Sequence, residues 1–177
     1  DGTDATILHA QEYHTSGWGH MGLLGLSEHY LPGDYVAYPK TALHSYFPDN
    51  PAVADIAQAQ GALVGYVHPY DPPAPDPFSD RSLSHSLPVN AALGKLDYLE
   101  IVGFADALAT ESVWHRLLNT DLRIPAAGGT DAMTNYSSLR GPLGQNRTLE
   151  KAVDSNDPQE EAANWLAGLK AGASIAT

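Results

Sequence analysis

Four residues of this chain have types suited to holding a divalent ion: Glu12, His20, His68 and Asp131. Glu12, His68 and Asp131 each follow an apolar stretch, and His20 begins one. Two imidazoles and two carboxylates form a hard-to-borderline donor set, suited to Zn, Mn or Fe. A carboxylate can bridge two ions, and two-metal sites suit hydrolysis of phosphate or acyl-type esters. Each residue also has a plain structural role open to it. Glu12 can be a strand-edge carboxylate, and His20 a core hydrogen-bonding group near Trp18. His68 can simply close a strand before Pro69, and Asp131 can cap the segment that follows. Their common position at strand mouths favours the chemical reading.

Histidine is unusually frequent, with 8 His against 3 Phe and 2 Met, which is the compositional pointer to a metal site. There is no cysteine, so disulfides, thiolate zinc sites, iron–sulfur clusters and thiol catalysis are excluded for these residues. With 9 Lys+Arg and 21 Asp+Glu the net charge is −12, the wrong sign for a general nucleic-acid or anionic-membrane surface. No apolar run approaches the roughly 20 residues of a membrane helix. The length of 177 residues and 43% apolar content suit a single domain over 1–177 with its own core. Nothing in the composition sets the compartment.

The elements that must position these side chains follow from periodicity and punctuation. Strands are expected over 6–12, 20–26, 62–67, 96–102 and 123–131, with a last one at 172–177. A helix is expected from Asn50 as N-cap through Gln60, stopped by Gly61. Others are expected over 110–118 and, after Arg147, through most of the stretch to Lys170. Residues 27–50 and the proline-rich 71–77 read as loops. Strands alternating with helices give an α/β domain, in which functional groups gather at the carboxyl ends of strands. For Glu12 and His20 to meet at one mouth, the first two strands must pair antiparallel through the turn at 15–19.

The segments Gln11-Glu12, Gly19-His20 with its Leu-Leu-Gly run, Gly65-Tyr66-Val67-His68-Pro69, Asp97-Tyr98-Leu99-Glu100-Ile101 and Gly129-Thr130-Asp131-Ala132 resemble the PHP (polymerase and histidinol phosphatase) superfamily. Arg147-Thr148, the stretch Trp165 to Gly172 and the closing Thr177 are similar to its CehA/McbA-like metallohydrolase branch. The resemblance spans nearly the whole chain. It implies a distorted seven-stranded β/α barrel, (β/α)7, with two or three divalent ions at its mouth in the full-length protein. It implies metal-activated water acting on a phosphoester, carbamate or carboxylic ester of a small-molecule substrate. By motif, Glu12 matches the glutamate bridging two ions, and His20 and His68 match imidazole ligands. Asp131 matches the aspartate that binds the other ion and orients the attacking water.

Two departures accompany the match. No His-x-His occurs in the chain, and Met133 stands where the last motif often has a histidine. The chain is therefore expected to be a partial barrel with the first strands absent, its open edge covered by a second chain or by self-association. The rival expectation is a catalytically silent binding or structural domain with an incomplete metal set. A third, an unrelated α/β binding domain, would scatter the four residues in space.

Other residues have secondary places. His14 lies on the strand face of Glu12 and is a reserve ligand. Glu100 ends a strand in a matching segment and is a candidate substrate-binding residue. Arg140 and Arg147 flank a glycine-rich loop and suit an anionic group of a substrate. His29, His44 and His85 lie in polar segments, and His115 is expected on a helix surface.

Overall fold

The computed structural model describes residues 5–14, 18–28, 48–70, 84–133, 139–151 and 153–177. It is a mixed α/β structure. Strands β1 (Ala10–Tyr13), β2 (Met21–Leu24), β3 (Leu63–Tyr66), β4 (Tyr98–Val102) and β5 (Ala126–Gly128) form one sheet in sequence order. Pairing is antiparallel between β1, β2 and β3 and parallel from β3 to β5. No closed barrel forms among the described residues, and β1 and β5 are the sheet's two ends.

This topology settles which residues share an edge. β3, β4 and β5 run the same way, so His68 and Asp131 leave the sheet on one side. β2 runs against β3, so His20 enters on that side, and β1 brings Glu12 there. The antiparallel pair required for Glu12 and His20 to meet is present, with Glu12 opposite Gly22.

Strand alternation separates the two faces of the sheet. One face carries Tyr13, Met21, Leu23, Val64, Tyr66, Leu99 and Ile101, all buried in the main core with Val53, Ala57 and Val113 of the flanking helices. The helices on this core are α1 (Asn50–Ala59) and α3 (Ala107–Leu118). The opposite face carries Glu12, Gly22, Gly65, Tyr98 and Glu100 and a smaller cluster in which Leu63, Tyr98 and Ala127 meet Leu169 of α4 (Pro158–Ala171). The bare backbones of Gly22 and Gly65 admit the Tyr98 ring, whose hydroxyl donates to the Gly22 carbonyl at 3.1 Å. A Cβ at Gly65 would lie 2.5 Å from that ring.

Local chemistry explains the helix boundaries. The cap of α1 is Asp49 rather than the expected Asn50, and its carboxylate accepts from Ala52 N at 3.2 Å. Asn50 is fully buried and spends its amide on Gly19 O and Tyr66 Oη, both at 2.9 Å, so it is a tertiary tie and not a cap. Asp106 caps α3 through Ala109 N at 3.0 Å. Gly172, at φ +73°, closes α4 in the left-handed region that glycine enters without strain.

Other elements also differ from the sequence expectation, α3 beginning at Ala107 rather than Thr110. The stretch after Arg147 begins with strand β6 (Thr148–Glu150), paired with β7 (Ser174–Ala176), and α4 starts only at Pro158. Thr148 is held there because its hydroxyl accepts from Gly128 N at 2.9 Å, a tertiary contact with no sequence signal. A short helix α2 (Leu87–Ala92) also lies between β3 and β4. The strands are shorter than their apolar runs, and residues such as Leu26 and Ile124 pack in the core outside any strand. The 71–77 loop, His29 and His44 lie outside the described residues. His85 is exposed, and so is His115, as expected of a helix surface. No helix among the described residues is long and apolar enough to cross a membrane.

Candidate metal centre

Glu12 is the centre of the site. Its Oε1 lies 2.9 Å from His68 Nε2, 3.3 Å from His20 Nδ1 and 2.8 Å from His14 Nε2. The His14 and His20 rings stack in parallel, 4.1 Å apart and 4° from coplanar. His68 stands edge-on to His20 at 5.0 Å. Donor atoms of Glu12, His20 and His68 all fall within 4.8 Å of one another. His68 is buried and the other two are partly buried.

This donor set fits a borderline divalent ion: two neutral imidazoles and one carboxylate, drawn from three elements. His20 Nδ1 supplies an independent sign of fit. It is buried and has no hydrogen-bond partner among the described residues, since its approach to Glu12 is not aligned as a hydrogen bond. Buried nitrogens are rarely left so, and a bound ion is one way to satisfy such an atom.

The electrostatics follow from this crowding. Burial works to raise the Glu12 carboxyl, but the surrounding His14, His20 and His68 imidazoles outweigh it and hold the carboxyl well below the usual range. Burial lowers His20, reinforced by the neighbouring His14 and His68. His68 experiences the same burial, yet Glu12, then Asp131 and Glu100, outweigh it and raise its pKa. Burial also raises Asp131, against the pull of His68 and Arg140.

Asp131 stands one step outside the tight group. Its Oδ2 is 4.0 Å from His68 Nε2 and 2.7 Å from Arg140 Nη1. The Arg140 guanidinium in turn lies over the Phe104 ring, 4.6 Å from its centroid. Both His68 (φ +30°) and Asp131 (φ +51°) occupy the left-handed region. Such backbone costs on the order of 1–3 kcal/mol per residue and collects at functional sites. Only one other described non-glycine residue, Asp121, is held this way, so two of the three strained positions are at this edge.

A cavity of about 570 Å³ opens beside the group, lined among others by Glu12, His68, Glu100, Asp131, Arg147 and Trp165. Glu100 is buried and its Oε1 accepts from His68 N at 2.9 Å. Burial pushes its carboxyl up to about 7, with the His68 backbone hydrogen bond pulling the other way. Arg147 pairs its backbone with Thr177 in both directions, at 2.7 and 3.0 Å, which fixes the segment on the cavity wall.

Of the four residues singled out from sequence, three form one group and Asp131 flanks it. The scatter expected of an unrelated binding domain is not what the structure has. His14, the reserve ligand, reaches Glu12 but is not part of the mutually close set. The Arg140–Asp131 pair was not foreseen, because no strand or helix periodicity links the two residues.

Compared with known proteins, the chain matches no family model, no curated protein and no solved structure.

Proposed function

We propose that this chain carries the core of a PHP-type metal-dependent hydrolase acting on a phosphoester, carbamate or carboxylic ester. The observation that carries the reading is the convergence of Glu12, His20 and His68 donors within 4.8 Å at the edge where the parallel strands end. These three residues would hold the ion, and Asp131 would be a ligand for a second one. A divalent ion bound there supplies Lewis acidity and lowers the pKa of a coordinated water toward 7. Asp131, on the cavity wall, would help orient the water that attacks the substrate. Arg147 on the cavity wall is the proposed contact for an anionic substrate group. The finer fold belongs to the same proposal: the sheet is part of a distorted (β/α)7 barrel, with a second chain or a second copy against β1. Nucleic acid and membrane are not expected partners.

A specific observation favours a second reading, a catalytically silent domain of the same type. Asp131 is already paired to Arg140 at 2.7 Å, which ties up one of the two oxygens it could offer a second ion. Elemental analysis of the purified chain separates the two, before and after mild chelation, with Glu12→Gln and His68→Ala as controls. Near-stoichiometric Zn, Mn or Fe that disappears in both variants is the expected result and justifies screening esters. No ion after reconstitution would sink the hydrolase reading for this chain.

A further inference from the structure

The group around Glu12 leaves a question about His68. Its backbone sits at φ +30° although it carries a side chain and precedes Pro69, whose ring further restricts the residue before it. Something must hold that peptide in place, because the imidazole reaches Glu12 only from there.

The contact that does so comes from Glu100. Its carboxylate is only 8% exposed, on the same sheet face as Glu12, and Oε1 accepts the His68 backbone N–H at 2.9 Å. The carboxylate sits in a slot made by two glycines. A Cβ added at Gly129 would lie 2.5 Å from Glu100 Oε2, and one at Gly103 would strike the same group. The β4–β5 ladder shifts register between Glu100 and Val102, beside this slot.

We propose that Glu100 is a positioning residue, and that its carboxylate, wedged with Oε1 against Gly103 and Oε2 against Gly129, clamps the His68 peptide through Oε1 so that the imidazole faces Glu12. The proposal rests on the metal-site reading for its functional meaning. Its geometric part stands apart from that reading. Glu100 therefore does not bind substrate through the oxygen that carries this bond. The requirement is for an acceptor atom at this point, and glutamine meets it.

The test uses the full chain and three variants, Glu100→Gln, Glu100→Ala and Gly129→Ala, with circular dichroism to check folding. Cobalt(II) is the probe, read by titration of its visible absorption and by calorimetry. The ¹⁵N resonances of the His68 amide and imidazole are followed in chelated protein. Glu100→Gln is expected to bind cobalt within about threefold of wild type and to keep the His68 resonances. Glu100→Ala and Gly129→Ala are expected to weaken binding about tenfold or more and to move both resonances. Gly129→Ala displaces the carboxylate without removing it, so it decides the matter if Glu100→Ala does not fold. Folded variants with wild-type affinity and unmoved His68 signals would overturn the proposal. So would a glutamine variant as weak as alanine, because charge rather than the acceptor would then matter. If wild type takes up no cobalt, the metal-site reading fails, and the His68 resonances alone decide. Movement in Glu100→Ala and Gly129→Ala with retention in Glu100→Gln then supports the clamp, and no movement overturns it.

Discussion

The two faces of the five-stranded sheet are built from the same strands and do opposite work. Leu99 and Glu100 are neighbours on β4, yet Leu99 is fully buried among apolar side chains and Glu100 is a carboxylate buried beside a cavity. The apolar face gains stability in proportion to the area it removes from water. The other face takes on the cost of burying Glu12 and Glu100, and partly offsets it with imidazoles and a backbone N–H. The lesson is that strand alternation lets one short segment serve packing on one side and chemistry on the other. A further buried carboxylate, Asp97, shows the structural use of the same device. It accepts from Val64 N at 3.0 Å and Gln58 Nε2 at 3.1 Å and pairs with Lys170 at 3.0 Å, tying β3, α1 and α4 together.

If the faces are as distinct as this, substitutions on each should separate cleanly. The largest effect belongs to the packed face. Leu99→Ala should lower unfolding free energy by about 2–5 kcal/mol in urea titrations, the usual result of emptying a buried leucine site. A change under 1 kcal/mol would mean that this core is not packed as described.

Next comes the pH dependence of Glu100. Its folded pKa of about 7 lies above the unfolded value of about 4.3. Its contribution to stability is therefore fully present below pH 4.3 and is lost as pH rises through 7. In chelated protein, wild type should lose on the order of 3 kcal/mol relative to Glu100→Gln across that window. Parallel stability profiles for the two proteins would contradict a buried, elevated carboxyl.

The third effect concerns the ion. His68→Ala should weaken cobalt binding by more than the roughly 10–100-fold typical of losing an outer-shell partner. Its effect on unfolding in chelator should stay smaller than that of Leu99→Ala. Calorimetry and urea titration on the same sample read both, and equal losses in the two would erase the distinction between the faces. The smallest effect lies away from both faces. Asp106→Ala removes the cap of α3 and should cost about 1 kcal/mol with ion affinity unchanged. A drop in affinity there would show that the site and the helix layer are coupled.

Much of the site was legible because metal chemistry restricts residue types, and because apolar runs mark where strands end. Glu12, His20 and His68 could be picked out on those grounds, and Glu12-Tyr13-His14 shows by alternation that Glu12 and His14 share a face. The helices α1 and α3 were also visible in their apolar spacing, although α3 begins at Ala107 rather than at the expected Thr110. Asp131 was legible as a strand-end acid, but its partner was not. The Arg140 contact, made beside the Phe104 ring, leaves no local pattern in the sequence.

Sequence alone determined the α/β alternation, the donor types and the acidic character of the chain, since these rest on composition and on local periodicity. Tertiary structure decided the rest. It placed β1 and β2 antiparallel so that Glu12 meets His20. It turned Thr148–Glu150 into a strand by pairing it with Ser174–Ala176, and it gave Asn50 to Gly19 and Tyr66 instead of to its own helix. It also set Glu100 under the His68 peptide. The physical reason is the same in each case: a polar group far from its partner in sequence has no local pattern, and only the packed sheet brings the two within a hydrogen bond's reach.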